Sequence, residues 1–213
     1  MIKHYLKVAF RNLAKYKTQT LVSIIGLAVG FTCFALSVLW IRYEMTYDTF
    51  HEGADRIYMV RAHYTDSPGS ISNSTPYPLS SYLQEKMPEI EVAASTSIYR
   101  EMKFRMGDNE HEVVMAAADS VFMNFFDIQL LKGTVNFLKE NDPEIAITEE
   151  FARKLFGNEE DALGKEVELN GRSRKIGAIV SGWSRHSNIP YSVLVSARHY
   201  PRWGSKGEQL FVR

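Results

Sequence analysis

A short stretch of the chain holds side chains that metal or acid–base chemistry would need: Asp48, His51, Glu52 and Asp55. Carboxylates beside an imidazole could bind a divalent metal or transfer a proton as general acid and base. Such groups act as catalysts when burial shifts their pKa values, and no apolar pattern in this stretch predicts burial. We therefore interpret it as a polar, hydrogen-bonded linker, with a catalytic or metal site as the alternative.

No other catalytic or cofactor motif occurs in the sequence. The histidines show neither H-x-x-x-H nor H-E-x-x-H spacing, so no metal site is predicted at His4, His51, His63, His111, His186 and His199. G-x-S-x-G, P-loop and dinucleotide-binding motifs are also missing, and we predict that the protein is not an enzyme and binds no cofactor. An ATP-driven role would need a partner that binds ATP. Basic residues after position 42 alternate with acidic ones, which argues against nucleic acid as a ligand.

The charge is unevenly distributed, although Lys and Arg together equal Asp and Glu in number. Five basic residues and no acidic ones lie in the first 20 positions, and positions 18–41 are uncharged. The rest of the chain is therefore net acidic. A basic head, an apolar segment and an acidic body indicate three environments rather than one soluble domain.

The uncharged segment 18–41 is long enough to be a transmembrane helix. Its 24 residues would span roughly 36 Å, more than the ~30 Å hydrocarbon core of a bilayer. A buried core helix is the alternative, but this segment is apolar on every face, as a lipid-exposed helix must be. The residues that we predict to span the membrane are Leu21, Ile25, Gly26, Gly30, Phe34 and Trp40.

A cleaved signal peptide is a second alternative for this segment. Signal peptides have a shorter apolar region that ends in small residues, whereas this one ends in Trp40, Ile41, Arg42 and Tyr43, typical of a membrane interface. Positive charge concentrated before the segment places the N-terminus in the cytoplasm by the positive-inside rule. We expect an inner-membrane protein that crosses the bilayer once in this chain and whose main domain is periplasmic.

Residues 1–17 are predicted to form an amphipathic helix on the cytoplasmic surface of that membrane. Apolar residues recur at helical spacing on one face, and basic residues recur every fourth position on another: Lys3, Lys7, Arg11 and Lys15. Each such cation gains about 1 kcal/mol near anionic lipid. A solvated helix or one bound to a partner is the alternative.

Two features inside the span concern its packing. Gly26 and Gly30 form a G-x-x-x-G step, which lets another helix approach closely. Cys33 is the one cysteine, so the body must be stable without an intrachain disulfide. We interpret Cys33 as a small packing or lipid-facing residue.

The body, residues 42–213, is predicted to be a mixed α/β domain of the α+β class, as one unit or two subdomains. Short strands and short helices alternate, and Asn170-Gly171 is the strongest hairpin signal in the chain. The predicted helices are 79–87, 119–126 and 149–156. The predicted strands are 57–64, 91–99, 102–106, 112–117, 144–148, 166–169, 173–180, 191–196 and 210–213, the last as a strand of an incomplete domain.

Several motifs together resemble the start of MacB/FtsX-type ABC-transporter permeases, especially the long form common in Bacteroidetes. They include YLKVAFRNL at 5–13, IGLAVG at 25–30, YDTFH at 47–51 and ADRIY at 54–58. ADSVF at 118–122, FFD at 125–127, ITE at 147–149, ARKLFG at 152–157 and LGK at 163–165 complete the pattern. The resemblance covers nearly the whole chain.

The resemblance implies a MacB-like periplasmic core domain inserted after the first transmembrane helix. Such permeases relay the ATP-driven motion of a partner ATPase subunit to the periplasmic domain, for export or efflux of a substrate already outside the inner membrane. The implied partners are the lipid bilayer, the ABC ATPase, further permease helices or a second permease copy, and a periplasmic adaptor or outer-membrane protein. A fragment or a truncated paralogue would both fit, and a membrane-anchored periplasmic sensor or binding module is the alternative function.

Overall fold

A computed structural model describes residues 2–51, 53–63, 65, 69–76, 78–140, 142–183, 187–197 and 206–213, with the side chains of 2, 3, 10 and 206 excepted. The chain forms two compact units, residues 1–47 and 48–213. The helices of the described part are α1 (Ile2–Lys15), α2 (Lys17–Glu44), α3 (Leu79–Lys86), α4 (Ser120–Phe125) and α5 (Glu149–Phe156).

The described strands all belong to the second unit. They are β1 (Tyr58–Val60), β2 (Ala62–His63), β3 (Ile71–Ser72), β4 (Thr75–Pro76), β5 (Ala93–Thr96), β6 (Ile98–Met106), β7 (Asn109–Ala118), β8 (Leu130–Gly133), β9 (Glu144–Thr148), β10 (Glu166–Leu169), β11 (Arg172–Val180), β12 (Val193–Ser196) and β13 (Lys206–Val212). The mixed α/β class predicted from the sequence is confirmed.

The first unit consists of α1 and α2, which are separated at Tyr16. The backbone of Tyr16 leaves the helical region there, with φ −105° and ψ 57°. The Thr20 hydroxyl donates a hydrogen bond to the Leu13 carbonyl oxygen at 3.1 Å, which ties the first turn of α2 to the end of α1. The amphipathic helix α1 thus ends, and the longer and mainly apolar helix α2 begins, within the basic first 20 residues.

Six strands of the second unit close into a barrel. Their order is β10-β6-β7-β12-β9-β11, and β11 also pairs with β10, so the sheet has no free edge around the ring. Strand β8 pairs with β11 at Ala178, Ile179 and Val180, beyond the residues of β11 that pair with β10. Two pairs, β11 with β9 and β12 with β7, are parallel and therefore join segments far apart in the chain.

Two hairpins supply the local part of the barrel. Asn170 and Gly171 connect β10 to β11 with φ values of 49° and 77°, the positive pair that a type I′ turn requires. Gly107 and Asp108 connect β6 to β7. The Asn170-Gly171 turn is the one that the sequence signals most strongly, whereas β6 and β7 extend beyond the predicted 102–106 and 112–117.

The barrel is filled at one end by α5. Thr148 ends β9 and caps α5, its hydroxyl accepting a hydrogen bond from the Phe151 amide at 3.3 Å. Phe151 then contacts Phe104 edge-to-face at 5.1 Å between ring centroids. The apolar core inside the barrel includes Phe104, Val113, Ile145, Ile147, Phe151, Val167, Ile176, Ile179 and Val193.

The opposite end of the barrel is a cavity of about 460 Å³. Strands β6, β9 and β11 begin at this end of the barrel, and strands β7, β10 and β12 end there. Residues from all six positions line the cavity, with Glu208 of β13 beside them. We name this cavity the barrel mouth.

A second layer packs against the outside of the barrel. Strand β13 lies between β1 and β5 and also pairs with β4. Between this layer and the barrel lies a core rich in phenylalanine, in which Phe122, Phe125 and Phe126 are buried. Asp119 caps α4 through the Phe122 amide at 2.7 Å.

Several predicted elements differ from the structure. The strand predicted at 57–64 is two short strands, β1 and β2, with residue 64 outside the described residues. The strand predicted at 91–99 is divided between β5 and the start of β6, and β12 begins two residues after the predicted 191. Strands β3, β4 and β8 are additional, because each is too short to show a period of its own.

Candidate functional site

Helix α2 is the one described helix long and apolar enough to cross a membrane. Its 28 residues give a length of roughly 42 Å, and none of them is buried. The large predicted spanning side chains are exposed by more than half, at 58% for Leu21, 54% for Ile25, 65% for Phe34 and 68% for Trp40. A helix apolar on all sides needs an apolar surrounding, which a bilayer supplies.

Polar groups within α2 are satisfied by the helix itself. The Thr32 hydroxyl donates a hydrogen bond to the Ala28 carbonyl oxygen at 2.8 Å. The Ser37 hydroxyl donates one to the Cys33 carbonyl oxygen at 2.9 Å. Such internal bonding makes hydroxyl side chains compatible with a lipid environment. Apart from the adjacent residues and backbone of α2 itself, no described atom lies within 4 Å of the position that a Cβ would take at Gly26 or Gly30, so a helix-packing role for their step remains a prediction.

The basic face of α1 lies on an exposed helix. Lys7, Arg11 and Lys15 are exposed, and the Lys15 ammonium lies 5.4 Å from the centre of the Tyr16 ring. Apolar side chains of the same helix, including Leu6 and Leu13, are exposed as well. The side chain of Lys3 is outside the described residues. Lipid binding by this helix remains a prediction.

The second unit begins with a polar clasp between two distant segments. The Asp48 carboxylate accepts a hydrogen bond from the Asn188 side-chain amide at 2.8 Å and from the Asn188 backbone amide at 3.2 Å. Asp48 has φ 56°, a conformation that aspartate tolerates better than most residues. The clasp fixes the chain four residues after the end of α2, at Glu44.

Beside the clasp is an aromatic cluster, which we define as Phe50, His51, Phe126, Trp183 and Tyr191. Trp183 is central: its ring lies 4.7 Å from those of His51 and Tyr191 and 5.5 Å from that of Phe126. The Trp183 indole N–H donates to the Ile189 carbonyl oxygen at 2.8 Å. The cluster therefore holds Phe50 and His51 against Phe126 and Trp183.

His51 is buried in this cluster, with 9% of its surface exposed. Burial lowers the pKa of its imidazole, and the nearby carboxylates of Asp48 and Asp127 only partly offset that effect. The folded state therefore disfavours the protonated ring, and the cluster loses stability as the pH falls below about 6.5. The sequence interpretation of this stretch as an unburied polar linker is wrong for His51, because distant aromatic side chains cover it.

The predicted acidic and imidazole residues do not converge on a catalytic or metal site within the described part of the chain. Asp48 is engaged with Asn188, and no group of three metal-binding side chains occurs among the described residues. Glu52, His186 and His199 lie outside those residues. Sequence reasoning missed the pairing of Asp48 and His51 with Asn188 and Trp183, since no local pattern links positions more than 130 apart.

Comparison with protein families gives a match to the MacB-like periplasmic core domain over residues 20–213. The match begins inside α2 and includes the whole second unit. Comparison with curated proteins gives no match.

Three solved structures share the fold. A domain from a Porphyromonas gingivalis protein described as a permease is 25% identical, with a TM-score of 0.64 and 76% of each chain covered. The extracellular domain of the noncanonic ABC-type transporter YknZ from Gram-positive bacteria is 15% identical, with a TM-score of 0.55. The alignment covers 74% of the present chain and 81% of the YknZ domain. The periplasmic region of MacB from Actinobacillus actinomycetemcomitans is 14% identical, with a TM-score of 0.54. The alignment covers 76% of the present chain and 75% of the MacB region.

Proposed function

The chain belongs to the family of MacB-like periplasmic core domains of ABC-transporter permeases, and we propose that it relays the motion of a partner ATPase to that domain. The ATPase acts on the cytoplasmic side, α2 carries the displacement through the inner membrane, and the second unit acts on a substrate in the periplasm. The family match over both α2 and the second unit is the observation that carries this proposal.

The clasp and the aromatic cluster suit this mechanical role. A displacement of α2 reaches the second unit through residues 45–50, because the chain is continuous there. A mobile entry segment would absorb the displacement, whereas Asp48 is bonded to Asn188 and His51 is buried against Trp183. Firm attachment at this point lets the displacement move the domain as a body.

The proposed partners follow from the same role. ATP would bind only to the ATPase subunit, since the sequence has no P-loop. The exposed faces of α2 would contact lipid and either further permease helices or a second permease copy, and the acidic second unit would contact an adaptor or outer-membrane protein. The basic face of α1 would lie on the cytoplasmic leaflet.

A sensor or binding module without transport activity is the second candidate. The barrel mouth favours it, because a cavity of about 460 Å³ is within the range of small-molecule sites. Both candidates share the membrane anchor and the periplasmic domain. They differ in whether an ATPase is bound.

Purification of the full-length protein from its native membrane after crosslinking tests the proposal. We expect one co-purifying subunit that carries a P-loop, and its ATPase activity in proteoliposomes should change at least twofold when Asp48→Ala weakens the clasp. Asp55→Ala is the matched control, with an expected activity equal to that of the natural protein. Purification without an ATPase, from membranes in which the protein is intact, would contradict the relay and favour the sensor.

A further inference from the structure

A groove of about 370 Å³ lies in the first unit, where α1 meets α2. We name it the junction groove. Its lining includes Asn12 of α1, the break residue Tyr16, and Gln19, Ser23, Ile24 and Leu27 of α2. Gln19, Ser23 and Leu27 are four positions apart, so they lie along one face of α2.

The junction groove changes from polar to apolar along α2. Helix α2 begins at Lys17, and at about 1.5 Å per residue Ser23 lies about 9 Å and Leu27 about 15 Å further along it. Half of a ~30 Å hydrocarbon core is about 15 Å, so the groove extends through one leaflet of a membrane that α2 crosses. Its polarity follows that of a phospholipid, in which ester groups and then acyl chains lie below the phosphate.

Three polar side chains of the groove have hydrogen-bond donors that the described part of the chain does not use. The hydroxyls of Thr32 and Ser37, elsewhere on α2, donate to carbonyl oxygens of the same helix. The side chains of Asn12, Gln19 and Ser23 make no such bond to any described residue. Water can satisfy Asn12 and Gln19 at the membrane surface, but Ser23 lies too deep in α2 for that. A ligand with acceptor oxygens at this depth would satisfy Ser23.

The charges beside the groove favour an anionic ligand. The Lys15 ammonium lies 5.4 Å from the centre of the Tyr16 ring, which lines the groove. Lys17 precedes Ile24 by seven residues, or two helical turns, and therefore lies on the groove side of α2 at its polar end. The first acidic residue of the chain is Glu44, so no carboxylate of the first 43 residues repels an anion here.

We propose that the junction groove binds one anionic phospholipid, whose phosphate lies near Lys15 and Lys17. An ester carbonyl oxygen accepts a hydrogen bond from Ser23, and one acyl chain follows Ile24 and Leu27. The groove is too small for a whole phospholipid, so the second chain stays in the bilayer. The site requires only that α2 spans a membrane, and it depends neither on the direction of the span nor on the proposed ATPase.

Native mass spectrometry of the full chain in detergent tests this site. The protein is titrated with phosphatidylglycerol or with phosphatidylcholine of the same acyl chains. We expect one phosphatidylglycerol per chain, bound at least about tenfold more tightly than phosphatidylcholine because only the former has a net negative charge. Free glycerol phosphate should not displace it, since it has no acyl chain. Equal affinity for the two lipids, or displacement by glycerol phosphate, would overturn the proposal.

Matched tryptophan substitutions locate the bound lipid. Leu27→Trp fills the apolar end of the groove and should weaken phosphatidylglycerol binding at least about tenfold. Ile25→Trp is the control, because two positions along a helix correspond to a rotation of about 200°, and it should bind as the natural protein does. Both side chains are exposed on α2, so neither variant should disturb folding.

Equal effects of the two tryptophan variants would contradict a lipid in the groove. A dimer that binds no phospholipid, and that Leu27→Trp alone dissociates, would show that a second copy of the chain occupies the groove. That result would also overturn the proposal.

Further variants separate the charge from the hydrogen bond. Lys15→Gln and Lys17→Gln should each weaken phosphatidylglycerol binding about fivefold and leave phosphatidylcholine binding unchanged. Ser23→Ala should weaken the binding of both lipids about threefold, since both have ester carbonyls. Lys7→Gln is the control: it removes an exposed cation two turns before Lys15 on α1 and should change either affinity less than about twofold. Unchanged binding in the first three variants, or an equal loss in Lys7→Gln, would contradict the assignment of these groups.

Discussion

Replacing Gly133 by alanine is expected to destabilise the second unit by about 3 kcal/mol or more. Gly133 ends β8 with φ +86°, and a Cβ there would lie 2.1 Å from the Gly177 carbonyl oxygen and 2.9 Å from the Ala178 Cα. Both atoms belong to the backbone of β11, and the same oxygen accepts a hydrogen bond from the Thr134 amide at 3.1 Å. They cannot move away without disrupting the barrel strand.

Gly164→Ala is the matched control for this substitution. Gly164 has a similar φ of +77°, but apart from its two chain neighbours no described residue has an atom within 4 Å of its Cβ position. Alanine at 164 should therefore cost only the conformational strain, about 1 kcal/mol. Urea unfolding of the full chain in micelles, followed by tryptophan fluorescence, measures both variants. Equal losses would show that β8 does not pack on β11 as described.

Replacing Trp183 by alanine is expected to cost about 2–4 kcal/mol. The ring is the common neighbour of His51, Phe126 and Tyr191, and its N–H bond to Ile189 would also be lost. Because Trp183 is only part-buried, the loss should lie below that of a fully enclosed tryptophan. Thermal unfolding of the full chain in micelles, monitored by near-ultraviolet circular dichroism, gives the change in midpoint.

Two further variants locate that effect in the cluster. Trp183→Phe keeps a ring without the N–H donor and should recover more than half of the lost stability. Tyr58→Ala removes an aromatic ring that is 64% exposed on β1 and should change stability by less than about 0.5 kcal/mol. A Trp183→Ala protein as stable as the Tyr58→Ala protein would mean that the cluster does not hold the start of the unit.

Local signals in the sequence predicted much of the fold. The strand at 144–148 and the helix at 149–156 are confirmed to the residue, because a β-branched run leads directly into a capped amphipathic helix. The Asn170-Gly171 hairpin is confirmed for a similar reason, since the turn residues themselves determine the geometry. The resemblance to MacB-type permeases is confirmed by the family match.

The features missed depend on contacts between distant segments. Closure of the barrel requires β12 to pair in parallel with β7, and no periodicity within either strand indicates its neighbour. Burial of His51 requires Trp183, and the conformation of Asp48 is supported by Asn188, 140 positions away. The barrel mouth is likewise lined by segments that are widely separated in sequence, among them β9 and β13.

The boundaries predicted after residues 17 and 41 are still predictions. So are the membrane-spanning and lipid-binding roles of the residues named for them. Helix α2 extends from Lys17 to Glu44, and its apolar side chains are exposed on every face. These observations agree with a membrane span. Its direction across the membrane depends on the five basic residues that precede it.

Cysteine labelling in whole cells tests the orientation on which the proposed relay depends. Cys33 is first replaced by serine, and single cysteines are then introduced at Lys15 in α1 and at Asp108 in the exposed β6–β7 turn. With the outer membrane opened, we expect an impermeant maleimide to label position 108 in intact cells and position 15 only after lysis. Labelling of position 15 but not of position 108 in intact cells would invert the topology and contradict the account.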